Sequence, residues 1–329
     1  MESCTFKVAD AVLSFTTNSG RLIDEIKKDF EPYTTGSTPS IDAKANIIET
    51  DQQFPLNVPE FAIRETVVAT NSFIFSKNGT KFIVEGKKRF FRVDLEKNET
   101  IGYIKPSYNF LLYARIMFIR FLLKWMVIKS LENKGTTFIH GSGVMRGDSS
   151  LLFIGPSGFG KTHILVTLLA EGYKLITDDS ILFGGGKVIP FHIRSKIIRN
   201  LIDKFPILKK GVPPHNMKST YVPKVGLLVD LADIFSVQKQ AIQPSKLFYI
   251  YVWNARQTKI EPIPKKEMLS RLFHNYQVEV GNTLWSGYKT DEAMKKIFPI
   301  YNDFIENVEC YKIFAGSSSR QFIKAIQEI

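Results

Sequence analysis

The chain has 329 residues, 44% of them hydrophobic and 23% charged, which is enough apolar material for a large core and excludes a disordered protein. Its 21 Gly and 15 Pro are scattered, and its two cysteines, Cys4 and Cys310, form no CxxC pair. That excludes a collagen-like chain, a disulfide scaffold and a thiolate metal site, and it points to a reducing, cytoplasmic setting. With 44 Lys and Arg against 32 Asp and Glu the net charge is +12, which suits an anionic partner such as a nucleotide, a nucleic acid, an acidic peptide or a lipid surface; charge does not choose among these, and the nucleic-acid reading has no supporting motif.

The first residues, Met1 to Val12, carry Glu2 and Asp10 where an export signal would need a cationic and then an apolar run. Leu22, Ile23, Ile26 and Phe30 recur at helical spacing, and the Thr/Ser/Pro-rich stretch from Pro32 to Pro39 should form a loop. Short β-prone runs follow at Ser72–Ser76, Lys81–Glu85, Arg89–Asp94 and Thr100–Ile104. The turn-forming Asn78-Gly79, Gly86-Lys87-Lys88 and Glu96–Asn98 separate them, which predicts an antiparallel meander. A boundary at Lys105-Pro106 divides a β-rich N-terminal region, 1–105, from a mixed region, 106–329. The apolar segment Tyr108–Leu131 contains Arg115, Arg120 and Lys124. A central cation in a membrane span costs about 2.5 kcal/mol or more, so this segment should be a core helix rather than a membrane span. A strand at Thr136–His140, a turn at Gly147-Asp148 and a strand at Ser150–Ile154 come next.

Gly155-Pro156-Ser157-Gly158-Phe159-Gly160-Lys161-Thr162 fits G-x-x-x-x-G-K-[ST] at every position. In such a loop the glycines turn backbone N–H groups inward, the lysine meets the β- and γ-phosphates, and the hydroxyl reaches Mg²⁺. The context is right as well: an apolar strand precedes the loop, and a helix, His163–Glu171, follows it and ends at Gly172. Nucleotide binding is therefore the expected property of this segment. Beyond it, Lys174-Leu175-Ile176-Thr177 reads as a strand ending in Asp178-Asp179, whose carboxylates would point to opposite faces. Two adjacent acids beside a phosphate loop suit a division of labour, one near the metal and one accepting a hydroxyl proton. His140, in His140-Gly141-Ser142-Gly143-Val144, is a further candidate, although a lone histidine is more often structural.

The stretch Phe138–Phe183 resembles the catalytic core of HPr kinase/phosphorylase. Its histidine, GxSGxGK[ST] loop, helix and Asp-Asp pair stand in the family order, with His140 21 residues before Lys161 and Asp179 18 residues after it. The resemblance implies an α/β fold: a P-loop kinase core of the HPr kinase and ATP-dependent phosphoenolpyruvate carboxykinase type, here with a β-rich N-terminal region. It implies ATP and Mg²⁺ as cofactors and a serine-type hydroxyl as acceptor. Nucleotide would be bound by Gly155, Pro156, Ser157, Gly158, Phe159, Gly160, Lys161 and Thr162, and Mg²⁺ held by Thr162 and Asp178. Asp179 would be the base, with His140 and Lys161 catalytic beside it. Leu247–Trp253, Lys259–Pro264 and a helix through Leu269 and Leu272 resemble the looser C-terminal pattern of such proteins.

There are departures too. The bifunctional enzymes carry a metal-ligating glutamate in a signature of the type LEVRG, whereas this chain has no glutamate between Glu171 and Glu261. The enzyme is therefore expected to run one way, without phosphorolysis. Arg194 and Arg199 offer cations in that region, and Asp203 is a weak metal substitute. The N-terminal region is closer to stand-alone HPr-kinase-like proteins, some of which tailor ribosomally made peptides, including lasso-peptide precursors. Gly211–Lys224 reads as a basic loop suited to covering an acceptor peptide. The expectation is a kinase for a protein or peptide hydroxyl, with no membrane partner and homo-oligomerisation left open. A kinase for free serine or a sugar and a catalytically weak nucleotide-binding regulator are the alternatives.

Overall fold

The computed structural model describes residues 1–36, 40–55, 57–60, 62–69, 72–85, 88–106, 109–212, 226–281, 290–316 and 318–329. The fold is mixed α/β and divides into two compact units, Met1–Lys134 with Leu284–Thr290, and Gly135–Thr283 with Asp291–Ile329.

The first unit is built on strands β1 (Glu2–Val8), β2 (Ala11–Thr17), β3 (Ala43–Glu49), β4 (Ile63–Ala69), β5 (Ser72–Lys77), β6 (Thr80–Glu85), β7 (Arg89–Asp94) and β8 (Glu99–Ile104). They form one sheet in the order β1-β2-β3-β8-β7-β6-β5-β4. The run β5 to β8 is the antiparallel meander that the turn residues predict, and β4 adds to it antiparallel to β5. Asn78 and Gly79 both have positive φ (49° and 72°), as a two-residue hairpin twisted with its strands requires. β3 lies parallel to β2 and β8, so the chain crosses over through helix α1 (Gly20–Phe30). The apolar face of α1, Ile23, Ile26 and Phe30, is fully buried, and Phe30 meets Phe6 of β1 with ring centroids 4.9 Å apart.

Helix α2 (Asn109–Glu132) packs on α1, β2 and β3, which is why this unit reaches Lys134 while the sequence pattern changes at Lys105-Pro106. Its Arg120 pairs with the carboxylate of Asp29 on α1, the two side chains being 5% and 0% exposed. A cation is thus accommodated inside an apolar helix by a buried counter-charge. Among the described residues no helix is long and apolar enough to cross a membrane.

The second unit carries the sheet β13-β12-β9-β10-β16-β18-β17, with β11 paired to β9. Its strands are β9 (Thr136–Arg146), β10 (Ser149–Ile154), β11 (Lys174–Thr177), β12 (Ser180–Gly184), β13 (Lys187–Ile189), β16 (Lys246–Ala255), β17 (Lys259–Pro262) and β18 (Glu309–Gly316); β14 (Ser195–Ile197) and β15 (Leu227–Val229) pair separately. The helices are α3 (Lys161–Ala170), α4 (Arg199–Lys204), α5 (Lys265–Gly281), α6 (Thr290–Glu306) and α7 (Ser319–Gln327). Phe153 and Phe248 stack 5.2 Å apart in a core cluster with α3 and α7. Phe138 and Phe183 instead meet Tyr276 of α5 and Tyr301 of α6, and the Tyr301 hydroxyl donates to the Phe138 carbonyl (2.6 Å). β10, β16 and β18 run parallel, so their C-terminal ends share one edge.

The strand expected to stop at His140 continues to Arg146 and forms a hairpin with β10. Gly141 and Gly143 lie inside it because the partner strand approaches too closely for a side chain: a Cβ at Gly141 would come within 2.6 Å of the Phe153 carbonyl.

The His192 ring is largely buried and its Nε2–H donates to the Gln238 carbonyl (2.9 Å). Burial holds its pKa below the ordinary value of 6.5, outweighing that hydrogen bond. The unfolded chain then binds the proton more readily than the fold does, so this residue contributes stability above about pH 6.5 that is lost as pH falls through the folded-state pKa. His192→Asn, which cannot titrate, should flatten the fall in Tm between pH 7 and pH 5. An unchanged slope in thermal melts would disprove the assignment.

Candidate active site

β10 delivers the chain at Ile154 into a loop whose glycines all have positive φ: 150° at Gly155, 82° at Gly158 and 79° at Gly160. Other residues rarely adopt such angles, and a Cβ at Gly155 would also sit 3.1 Å from the Ile250 carbonyl of β16. The loop therefore needs glycine for both its path and its fit against the neighbouring strand. Gly160 is the N-cap of α3, so the helix begins at Lys161 rather than at His163. At its other end, Tyr173 N–H donates to Leu168 O (3.2 Å) and Gly172 N–H to Leu169 O (3.1 Å), a Schellman closure with Gly172 in the left-handed position that the sequence predicts.

The Lys161 side chain curls back into the loop, where its ammonium donates to Gly155 O (2.8 Å) and Pro156 O (3.0 Å). Burial lowers its pKa, against the pull of Glu279, Asp179 and Asp178. The cation is thus held against the loop carbonyls at the start of α3, an arrangement suited to a phosphate group.

Asp178 and Asp179 differ from the strand-end geometry expected of them. β11 stops at Thr177, and both acids occupy an irregular break between it and β12, which continues in the same direction along β9; the Thr177 hydroxyl donates to Ser180 O (2.7 Å) with Phe191 O 2.8 Å away. Asp179 takes φ = +78°, left-handed backbone that costs a non-glycine residue about 1–3 kcal/mol and that concentrates at functional sites. The Thr162 hydroxyl donates to Asp178 Oδ1 across 3.4 Å. Burial, and then the charge of Asp179, push the Asp178 carboxyl up to about 6, with the Ser195 hydrogen bond and His140 pulling the other way. Among the described residues no group of three or more His, Cys, Asp or Glu is arranged as a metal site. The Thr162 and Asp178 oxygens are nonetheless hard donors, close together beside the glycine loop, and Mg²⁺ commonly takes one or two such ligands with the rest from phosphates and water.

The carbonyl of Asp179 lies 2.9 Å from His140 Nδ1 and also accepts from Gly141 N–H (3.3 Å), while its carboxylate Oδ1 lies 3.2 Å from the same Nδ1. Burial opposes the imidazolium, but the hydrogen bond and charge of Asp179, joined by Glu279, raise the pKa of His140 despite Lys161. The structure thus brings together Lys161, Thr162, Asp178, Asp179 and His140. Arg194 is buried with its charge bearing on Asp230, and Arg199 and Asp203 are exposed on α4. The proposed acceptor loop falls largely in residues 213–225, outside the described residues.

Two residues of α5 join the site without having been singled out in the sequence. Asn275 Oδ1 accepts the backbone N–H of His140 (3.2 Å), and Glu279, one helical turn further along the same face, bears electrostatically on both Lys161 and His140. Their spacing of four on a predicted helix was the available signal. A scan of protein-family models and a search of the curated proteins each returned no match to this chain.

Proposed function

We propose that the chain is an ATP- and Mg²⁺-dependent kinase of the HPr-kinase-like type, with a core related to phosphoenolpyruvate carboxykinase, acting on a serine-type hydroxyl of a protein or peptide. One observation carries the reading. A glycine loop with an inward lysine, a Thr–Asp oxygen pair and a His–Asp pair converge at one end of β10 and β11, which are the three components that phosphoryl transfer requires. The sequence resemblance over Phe138–Phe183 supports it.

In this reading the loop N–H groups and Lys161 bind and orient the β- and γ-phosphates, and Thr162 and Asp178 would hold Mg²⁺. The bound ion supplies charge neutralisation on the phosphates. The His140–Asp179 pair would take up the proton that the acceptor hydroxyl sheds, so the rate would come from positioning and electrostatics. A net charge of +12 suits an acidic acceptor.

Incubation with γ-labelled ATP, Mg²⁺ and candidate peptides, including those encoded beside its gene, tests this reading. The expected result is label on a peptide serine located by mass spectrometry, abolished by EDTA. Transfer to free serine or a sugar alone, or full activity in excess EDTA, would refute it.

A further inference from the structure

We infer that the acceptor proton goes to Nε2 of His140 and that Asp179 is the positioning residue which holds the ring. The inference rests on the kinase reading and assigns its proton acceptor. Asp179 contacts the imidazole through two groups: the backbone carbonyl, 2.9 Å from Nδ1, and carboxylate Oδ1, 3.2 Å from it. A carbonyl oxygen only accepts, so Nδ1 carries the hydrogen and the neutral ring presents a bare lone pair at Nε2. Among the described residues Nε2 makes no hydrogen bond, and the side chain remains 18% exposed.

The rest of the local structure serves the same end. The left-handed conformation of Asp179 accompanies a carbonyl turned toward the ring, and that carbonyl is also tied to Gly141 N–H. His140 is registered opposite Ser180 of β12, and its own N–H is held by Asn275. An imidazolium formed at this position would have the carboxylates of Asp179 and Glu279 for stabilisation. In the step itself, the acceptor oxygen forms its bond to the γ-phosphorus as the bond to the β,γ-bridging oxygen breaks. The electron pair leaves with ADP, and the hydroxyl proton passes to Nε2, which later releases it to solvent.

This arrangement differs from a His–Asp pair in which the carboxylate alone sets the tautomer. There, Asn for Asp flips the ring and costs about 10⁴-fold. Here the backbone carbonyl of residue 179 survives Asp179→Asn, so the tautomer should survive as well.

Two measurements test the inference. In ¹⁵N-histidine-labelled protein, long-range ¹H–¹⁵N spectra of neutral His140 should show the Nδ1–H tautomer, both in the parent and in Asp179→Asn; an Nε2–H tautomer in the parent would overturn the inference without reference to activity. In the second, Mg²⁺-ATP hydrolysis, with water as acceptor, is followed alongside binding of a fluorescent ATP analogue. His140→Gln should slow hydrolysis by about 10²-fold or more with nucleotide affinity retained, and Asp179→Asn by only about tenfold. The opposite order would return the base to Asp179. A parent that binds the analogue but hydrolyses no ATP and phosphorylates no peptide would instead bring down the kinase reading, while the spectra still decide the tautomer.

Discussion

Lys161→Ala is expected to weaken ATP·Mg²⁺ binding by about 10²-fold or more and to abolish turnover, because it removes the ammonium that lies inside the loop and the charge-assisted hydrogen bonds it would give to phosphate oxygens. The same ammonium bonds the Gly155 and Pro156 carbonyls, so the substitution also strips a donor from two loop acceptors. Isothermal titration with ATP·Mg²⁺, read beside a thermal melt, separates the two effects. A folded variant with parental affinity would refute the assignment of the loop as a phosphate site.

Gly141→Ala should damage the second unit and the candidate site together. Its Cβ would lie 2.6 Å from the Phe153 carbonyl, 2.7 Å from Ile181 Cδ1 and 2.9 Å from Ile154 Cγ2, and the nearest of these is backbone that cannot rotate away. β9 must then part from β10 at the point where Gly141 N–H holds the Asp179 carbonyl, so overpacking and loss of site geometry arise together. Overpacking of about 1–3 kcal/mol corresponds to a fall in Tm of roughly 2–12 °C for a unit of this size. Phosphoryl transfer should fall further than the melt alone explains. Gly147→Asn is the control: that turn position has φ = 59° and nothing within 4 Å of a Cβ, and asparagine tolerates left-handed backbone. Equal melts for the two variants would disprove the close-approach argument.

The parts of this architecture that were readable in sequence are those governed by neighbours in the chain. Asn78-Gly79 specifies a hairpin because two consecutive positive φ angles are needed there, and Gly172 ends α3 for a similar local reason. The loop spacing from Gly155 to Thr162 is legible because the glycines, lysine and hydroxyl act through backbone geometry within a few residues. The strands β1 to β4 were less legible: β3 lies parallel between β2 and β8, and its pairing depends on a crossover rather than on a turn signature.

What the sequence by itself determined, then, is the glycine loop from Gly155 to Thr162, the meander, and the list of charged residues from which a site can be drawn. The tertiary structure alone decided how those residues are used. It took Asp178-Asp179 out of strand geometry, at a left-handed break between β11 and β12, which continue in one direction along β9, with the Thr177 hydroxyl donating to Ser180 O beside it. It brought Asn275 to His140 across 135 residues of sequence and assigned α2 to the N-terminal unit through a buried ion pair with Asp29. The physical reason is range: backbone preferences act over a turn or two and leave a trace in local residue types. A tautomer, a buried counter-charge or a helix face closing a site depends on which distant groups the packed core brings within a few ångströms.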